Sequence, residues 1–330
     1  MAETYLIVRL SSLGDIIHTL PAAAALRRHR PQSRILWLVQ RPGDELLGLV
    51  SGLDGVIVRG EKGWLRRLRG RGQTALDFQG LLKSGLLARL SGARRRLGFS
   101  GRNLKEPGAS FFYTERLPEF AEEGHVIAKN LRLLSLVGVD ERSFSFPLLV
   151  PEALLAKADA DLRRLGWREG EALVLCNVGA AWETKRWSAE GWQGLIPALR
   201  RAGAFPVMLW GSPDEEALAR TVAAKSGVPL APYLPIREVF AWLRRTRLLI
   251  SGDTFALQAA CALDVRVVGI FGPTDPRRNG PFDSRDKVVY ARAACAPCYQ
   301  RTCPTVDCLK AISPVDVAGP ALEVLAANAR

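Results

Sequence analysis

The chain has 330 residues, 48% hydrophobic and 24% charged, which is the balance of a globular protein and excludes a disordered, collagenous or membrane-embedded one; no run of about 18 apolar residues is present to cross a bilayer. The length suits two domains of roughly 150 residues each, and the start, Met1-Ala2-Glu3-Thr4, lacks the basic segment of a secretory signal, which points to a cytoplasmic address. Lys and Arg number 46 against 33 Asp and Glu, a net +13, so an anionic partner is expected.

The charge is uneven. Residues 1–150 hold 23 basic and 14 acidic side chains, a net +9, and the remainder holds 23 and 19, a net +4. The positive field therefore belongs mainly to the first half, above all to residues 59–71 and Arg94-Arg95-Arg96. Nucleic acid, a phosphorylated sugar and an anionic lipid surface each fit it, as does a solvated helix face with no partner.

In chain order, Tyr5-Leu6-Ile7-Val8-Arg9-Leu10 is short, apolar and β-branched, as a buried parallel strand should be. Residues 11–15 follow as a turn, and 16–28 have helical spacing with Pro21 as a local irregularity. Strand patterns recur at 35–39, 55–58 and 74–78, and a helix is expected over 126–137. Phe144, Phe146, Pro147 and Pro151 mark a linker. The alternation restarts with strands at 172–177 and 205–210, each followed by a helix, at 188–202 and 215–226. Residues 248–251 lead into a helix after Asp253, and 267–271 is the last clear strand. Repeated β-then-α alternation predicts open parallel sheets covered on both faces. The expected architecture is α/β, with two Rossmann-like, doubly wound domains at 1–150 and 151–330 facing a central cleft. The C-terminal helix is free to pack back on the first domain. Ligand sites are expected at the carboxyl ends of the strands.

Chemistry is best sought in the loops at those ends. Ser12-Leu13-Gly14-Asp15 follows the first strand: the glycine admits a ligand to the backbone, and a helix N-terminus attracts negative charge. Only one glycine is present, so this is not the dinucleotide fingerprint, and a nicotinamide dehydrogenase is set aside. Asp15 is either a helix cap or a carboxylate placed to take a proton from a hydroxyl. In the second half, Lys185 and Arg186 follow a small-residue turn and can neutralise a departing diphosphate. Asp214 and Glu215 can accept ribose hydroxyls, and Ser251-Gly252-Asp253-Thr254 can hold phosphate oxygens with amides and a hydroxyl. Gly272-Pro273-Thr274-Asp275-Pro276 closes the set.

Cys295, Cys298, Cys303 and Cys308 form C-x2-C-x4-C-x4-C, leaving Cys176 and Cys261 in apolar surroundings. Four thiolates so close can hold a structural zinc; free thiols and redox pairing are the other readings. The histidines are three, His18, His29 and His125, and they assemble no catalytic triad or metal set. The charge alone would suit a basic nucleotide- or nucleic-acid-binding protein, but no RNP or helix-turn-helix signature accompanies it, and nucleic acid is not expected as a partner.

Taken together, Ser11-Ser12-Leu13-Gly14-Asp15-Ile16-Ile17-His18-Thr19-Leu20-Pro21, Asp77-Phe78-Gln79-Gly80-Leu81-Leu82-Lys83-Ser84, Lys185-Arg186-Trp187, Trp210-Gly211-Ser212-Pro213, Asp253-Thr254 and Phe271-Gly272-Pro273-Thr274-Asp275-Pro276 resemble the motifs of the bacterial ADP-heptose:lipopolysaccharide heptosyltransferases, glycosyltransferase family 9, in family order across nearly the whole chain. The opening motif and the Gln-Gly-Leu-x-Lys-Ser segment are most similar to the heptosyltransferase I branch. The resemblance implies a GT-B fold and an inverting transfer of heptose from ADP-L-glycero-D-manno-heptose to the Kdo-lipid A inner core of lipopolysaccharide. It makes Asp15 the general base, and it gives the donor to Lys185, Glu215, Asp253, Thr254, Gln258 and Thr274. Ser12, Gly14, His18, Arg59, Lys62, Lys83 and Lys105 become acceptor-side candidates. It implies an ADP-sugar donor, a lipid-linked phosphorylated Kdo acceptor, no cofactor for catalysis, and peripheral contact with the anionic cytoplasmic face of the inner membrane. Phe255 and Gln258 stand where the family usually has glycine and histidine, and Ala180 and Ala181 where the closest branch has hydroxyls. A different nucleotide-sugar donor on the same fold is the alternative these changes leave open, as is a non-catalytic nucleotide-binding protein.

Overall fold

A computed structural model describes residues 3–70, 74–122, 124–291 and 293–327. Arg71, the last cation of the basic stretch, and the opening Met1-Ala2 lie outside the described residues. The chain divides into two units, Met1–Leu149 and Val150–Arg330.

The first unit is built on β1 (Thr4–Val8), β2 (Arg34–Gln40), β3 (Gly55–Arg59), β4 (Thr74–Asp77), β5 (Arg95–Gly98) and β6 (Glu115–Arg116). Their order in the sheet is β3-β2-β1-β4-β5-β6, and every pairing is parallel. Helices cover both faces of such a sheet, so its central strands read as unbroken apolar runs: Tyr5, Leu6, Ile7 and Val8 are all buried. The second unit carries β7 (Ala172–Asn177), β8 (Ala204–Leu209), β9 (Leu248–Gly252), β10 (Arg266–Phe271) and β11 (Lys287–Tyr290), again all parallel, in the order β11-β10-β9-β7-β8. The first order is that of the Rossmann fold, and the second, counted within its own unit, is the flavodoxin-like one.

In each sheet the strand order reverses once, and the loops diverge there to leave room for a ligand. In the first unit that place lies between β1 and β4, and in the second between β7 and β9. The expected α/β, doubly wound fold is therefore present in both halves.

The structure refines several expectations. The single helix expected over 16–28 is two, Leu13–Ile17 and Leu20–His29, with Pro21 in the first turn of the second. A proline is tolerated there because the first-turn N–H groups have no helical partner. Arg95 and Arg96, read as part of a free positive field, lie in β5. Arg95 pairs with Glu115 of β6 at 2.8 Å and donates to the Leu136 carbonyl, and Arg96 donates to the Phe112 and Ala93 carbonyls. The C-terminal helix Pro314–Ala327, for which packing on the first domain was an open option, buries Val317, Ala321, Val324 and Leu325 within the core of its own unit.

Candidate active site

Asp15 stands on the third residue of the helix Leu13–Ile17, just beyond β1, and Ser12 caps that helix. The cap reading is thus displaced by three residues: Ser12 N–H and Oγ–H donate to Asp15 Oδ2 at 3.1 and 3.0 Å. The other carboxylate oxygen, Oδ1, pairs with Arg9 Nη2 at 2.7 Å, while the side chain remains 41% exposed. Desolvation raises its pKa, but the charges of Arg9 and His18 and the Ser12 hydrogen bonds outweigh it and hold the carboxyl at about 2. His18 itself is buried, its ring 5.4 Å from that of His125.

Arg9 is aimed by the β4 loop. Its Nη1 donates to the Phe78 carbonyl, and Gln79 Oε1 accepts from the amides of Leu10 and Ser11 at 2.7 and 3.3 Å. That loop hangs in turn from Asp77, which is fully buried. Asp77 Oδ1 accepts from the amides of Gln79 and Gly80, and Oδ2 accepts from Ser84 Oγ at 2.7 Å and Tyr113 OH at 2.8 Å. Burial pushes the Asp77 pKa up against these four donors. The Asp-Phe-Gln-Gly segment is therefore a bracket that places the Asp15 loop. The motif's sequence does not announce this role, nor that of Arg9, whose one signal is a cation ending an apolar strand.

Of the acceptor candidates, Ser12, Gly14 and His18 cluster with Asp15. Arg59 and Lys83 meet at the ends of β2 and β3: Lys83 Nζ donates to Gln40 Oε1 at 3.1 Å, and burial together with the Arg59 charge lowers its pKa. A depression beside them is lined by Gln40, Arg41, Arg59, Gly60 and Glu61. Lys62 and Lys105 are exposed and, among the described residues, join no ion pair. Glu61 compensates part of the basic stretch, pairing with Arg41 at 2.9 Å and Arg67 at 2.7 Å.

In the second unit the loop at 182–187 is anchored by Trp187, whose ring lies 5.3 Å from that of Trp192 and whose Nε1 donates to the Ile312 carbonyl. A Cβ on Gly191 would come within 2.4 Å of that indole, so glycine is required where the helix passes. The anchor puts Lys185 Nζ 2.6 Å from Asp253 Oδ2, both side chains largely buried. Across the β7–β9 gap, Asn177 Nδ2 donates to Ser251 Oγ at 2.9 Å and to Thr254 Oγ1 at 3.2 Å, fixing the turn that opens the helix Phe255–Ala262. Arg186 Nη2 lies 3.9 Å from Glu215 Oε1, and Glu215 Oε2 accepts from the Gly211 amide at 2.8 Å. A Cβ on Gly179 would sit 2.2 Å from that carboxylate, so only glycine lets Glu215 reach this loop.

Lys185, Glu215, Asp253 and Thr254 thus fall on adjoining loops. Gln258 is buried and donates to the Asn279 carbonyl at 2.6 Å. Thr274 is buried on the loop after β10, and among the described residues its hydroxyl has no hydrogen-bond partner. The Phe255 ring packs edge-on against Phe240 at 5.8 Å, which gives its bulk an apolar neighbour.

The cysteine segment does work that its spacing did not announce. Thr184 Oγ1 donates to the Gln300 carbonyl at 2.7 Å, and Tyr299 N–H donates to the Pro273 carbonyl at 2.9 Å, docking the segment on two of these loops. It brings Arg301 to 5.1 Å from the Trp182 ring, the same indole that carries Lys185 Nζ at 4.2 Å. Nothing local in the sequence marks Trp182, Arg301 or Asn177 for this site. All six cysteines are free thiols, Cys295 and Cys303 exposed and Cys308 buried. Among the described residues no group of three or more His, Cys, Asp or Glu side chains is arranged to hold a metal ion, so the zinc reading gains no support from their placement.

Comparison with known proteins decides the family. The profile of glycosyltransferase family 9 (heptosyltransferase) matches residues 64–308. The chain belongs to glycosyltransferase family 9. It is 29% identical over 317 residues to lipopolysaccharide heptosyltransferase 1 of Pseudomonas aeruginosa, covering 90% of this chain and 86% of that one. A family 9 glycosyltransferase of Veillonella parvula shares the fold with a TM-score of 0.84 at 19% identity, covering 99% and 98% of the two chains. The E. coli heptosyltransferase WaaC, solved with ADP, does so with 0.78 at 23% identity, covering 97% and 99%. This glycosyltransferase therefore has the GT-B fold of the family.

Proposed function

We propose that this glycosyltransferase moves a heptose, with inversion, from ADP-L-glycero-D-manno-heptose to the Kdo-lipid A inner core of lipopolysaccharide, at the cytoplasmic face of the inner membrane. The first unit takes the acceptor and the second the donor. The observation that carries the reading is the Asp15 carboxylate, ionised, part-exposed and held by Arg9 and Ser12 at the strand-order reversal of its sheet.

The acceptor hydroxyl oxygen attacks the anomeric carbon as the bond from that carbon to the diphosphate oxygen breaks on the opposite face. A carboxylate near pKa 2 is too weak a base to deprotonate a free alcohol. It need not do so. As the new bond forms, the hydroxyl becomes oxonium-like and strongly acidic, and its proton passes downhill to Asp15. Charge gathers meanwhile on the departing ADP, and cations placed for it lower the barrier. Lys185 leaves Asp253 for the diphosphate, and Arg301, with no acidic partner among the described residues, adds uncompensated charge where Ala180 and Ala181 offer no hydroxyl. Glu215 binds the adenosine ribose. No metal ion enters the reaction, and the cysteine segment serves to carry Arg301.

ADP release from ADP-heptose with a Kdo-lipid A acceptor tests the proposal. Asp15→Ala should lower turnover by at least about 100-fold while calorimetry finds its ADP affinity unchanged. Equal turnover in the two proteins would refute the assignment.

A further inference from the structure

The helix Leu82–Leu90 turns an apolar face to solvent. With about 100° between successive residues, Ser84, Gly85, Leu87 and Ala88 fall on one side and are buried. Leu82, Lys83, Leu86, Arg89 and Leu90 share an arc of about 120° on the other, and all five are exposed. Leu82, Leu86 and Leu90 are 50%, 44% and 40% exposed, and Phe111 is 87% exposed. Phe111 belongs to the segment Pro107–Phe112, which packs on this helix so closely that a Cβ on Gly85 would lie 2.9 Å from the Phe112 ring, and one on Gly108 3.1 Å from Leu82 Cδ2. Apolar side chains grouped in this way on a protein surface mark a docking site.

Cations accompany the stripe. Arg89, Arg94 and Lys105 are exposed and, among the described residues, join no ion pair; Arg102 has only the exposed Glu119 at 3.4 Å. The helix itself carries no acidic residue, and the nearby Glu106 accepts from the Leu82 amide at 2.7 Å. A second copy of a chain of net +13 would set like charges against each other across this face. Leucines that enter an acyl layer beside cations that meet headgroup phosphates suit an anionic lipid surface instead.

We propose that the outer face of the helix Leu82–Leu90, with Phe111 and the flanking arginines, rests on an anionic bilayer and sets the Asp15 side of the first unit at headgroup level. The link is short: the helix begins three residues after Gln79, whose side chain holds the Leu10 amide. The inference rests on the proposed lipid-linked acceptor and names the surface that reaches it.

The test is sedimentation of the full chain with vesicles of equal parts phosphatidylethanolamine and phosphatidylglycerol, against phosphatidylcholine vesicles. ADP calorimetry and light scattering run on the same samples. Wild type should bind the anionic vesicles only, and added salt should weaken that binding. Leu86→Gln with Phe111→Ser, and separately Arg89→Gln with Arg94→Gln, should each bind about tenfold less with ADP affinity kept. Wild type that binds ADP yet ignores anionic vesicles overturns the proposal and leaves the donor reading standing, as do variants that bind vesicles like wild type. A wild-type dimer that the leucine variant dissociates overturns it in favour of self-association. Sedimentation by a protein that releases no ADP from ADP-heptose with the Kdo-lipid A acceptor supports the lipid face and sinks the proposed reaction.

Discussion

Arg9 and Ser12 divide the two oxygens of the Asp15 carboxylate between them, which keeps that side chain ionised and partly exposed. Its place after the first strand was plain in the sequence; that Ser12, not Asp15, caps the helix depends on where that helix begins. The charge of Arg9 against its carboxylate depends on a fold that brings the β4 loop alongside. A carboxyl whose pKa is depressed to about 2 is ionised at every higher pH, and its charge is lost only as the pH falls through that value. The rate against pH should therefore show no acid limb from Asp15 between about pH 5 and pH 9, and a limb that Asp15→Glu displaces within that range would contradict the geometry. On the donor side, Lys185→Ala and Arg301→Ala should each weaken ADP by roughly 10- to 100-fold, the worth of a charge-assisted hydrogen bond, with adenosine affinity unchanged. Arg301 could not be found from its neighbours in sequence, because its meeting with Trp182 depends on a segment folding back across more than a hundred residues.

Among the elements, the central strands were legible because burial on both faces makes them continuous apolar runs, as in Tyr5–Val8 and Val267–Phe271. β5, β6 and β11 were not. β5 contains Arg95 and Arg96, whose charges are answered by Glu115 and by carbonyls that only the folded chain supplies. The helix Leu82–Leu90 is hard to read for a related reason: its outward face holds three leucines beside Lys83 and Arg89, which blurs the polar side of an amphipathic helix. The bracket beneath Asp15 is open to direct measurement. Asp77→Ala strands the Tyr113 hydroxyl and two loop amides, while Ser84 Oγ keeps the Leu81 carbonyl at 2.9 Å, and it should cost about 1–3 kcal/mol of stability for each donor left buried and unpaired, read by urea denaturation. Gln79→Ala leaves the fold intact but frees the Leu10 and Ser11 amides. Turnover should drop about tenfold or more at constant ADP affinity, and a fall in ADP affinity instead would mean that the bracket serves another purpose.

At the scale of the molecule, two units of parallel sheet were predictable from alternation, but the two strand orders were not, since pairing partners are not written in local pattern. Each unit buries its own core, and the C-terminal helix completes that of the second. Residues 150–330 produced alone should fold and bind ADP within roughly tenfold of the intact chain; failure to bind would place part of the nucleotide site in the first unit. The Lys185–Asp253 ion pair also governs how the molecule answers to ionic strength. A cation already satisfied by a carboxylate exchanges one anion for another when nucleotide arrives, so the mobile ions of the medium have little to screen. Arg89 and Arg94 of the first unit, which join no ion pair among the described residues, have no such internal substitute. Raising salt should therefore release the proposed lipid face from anionic vesicles before it empties the nucleotide site, where Lys185 trades one carboxylate for one phosphate and Arg301 alone is left to screening.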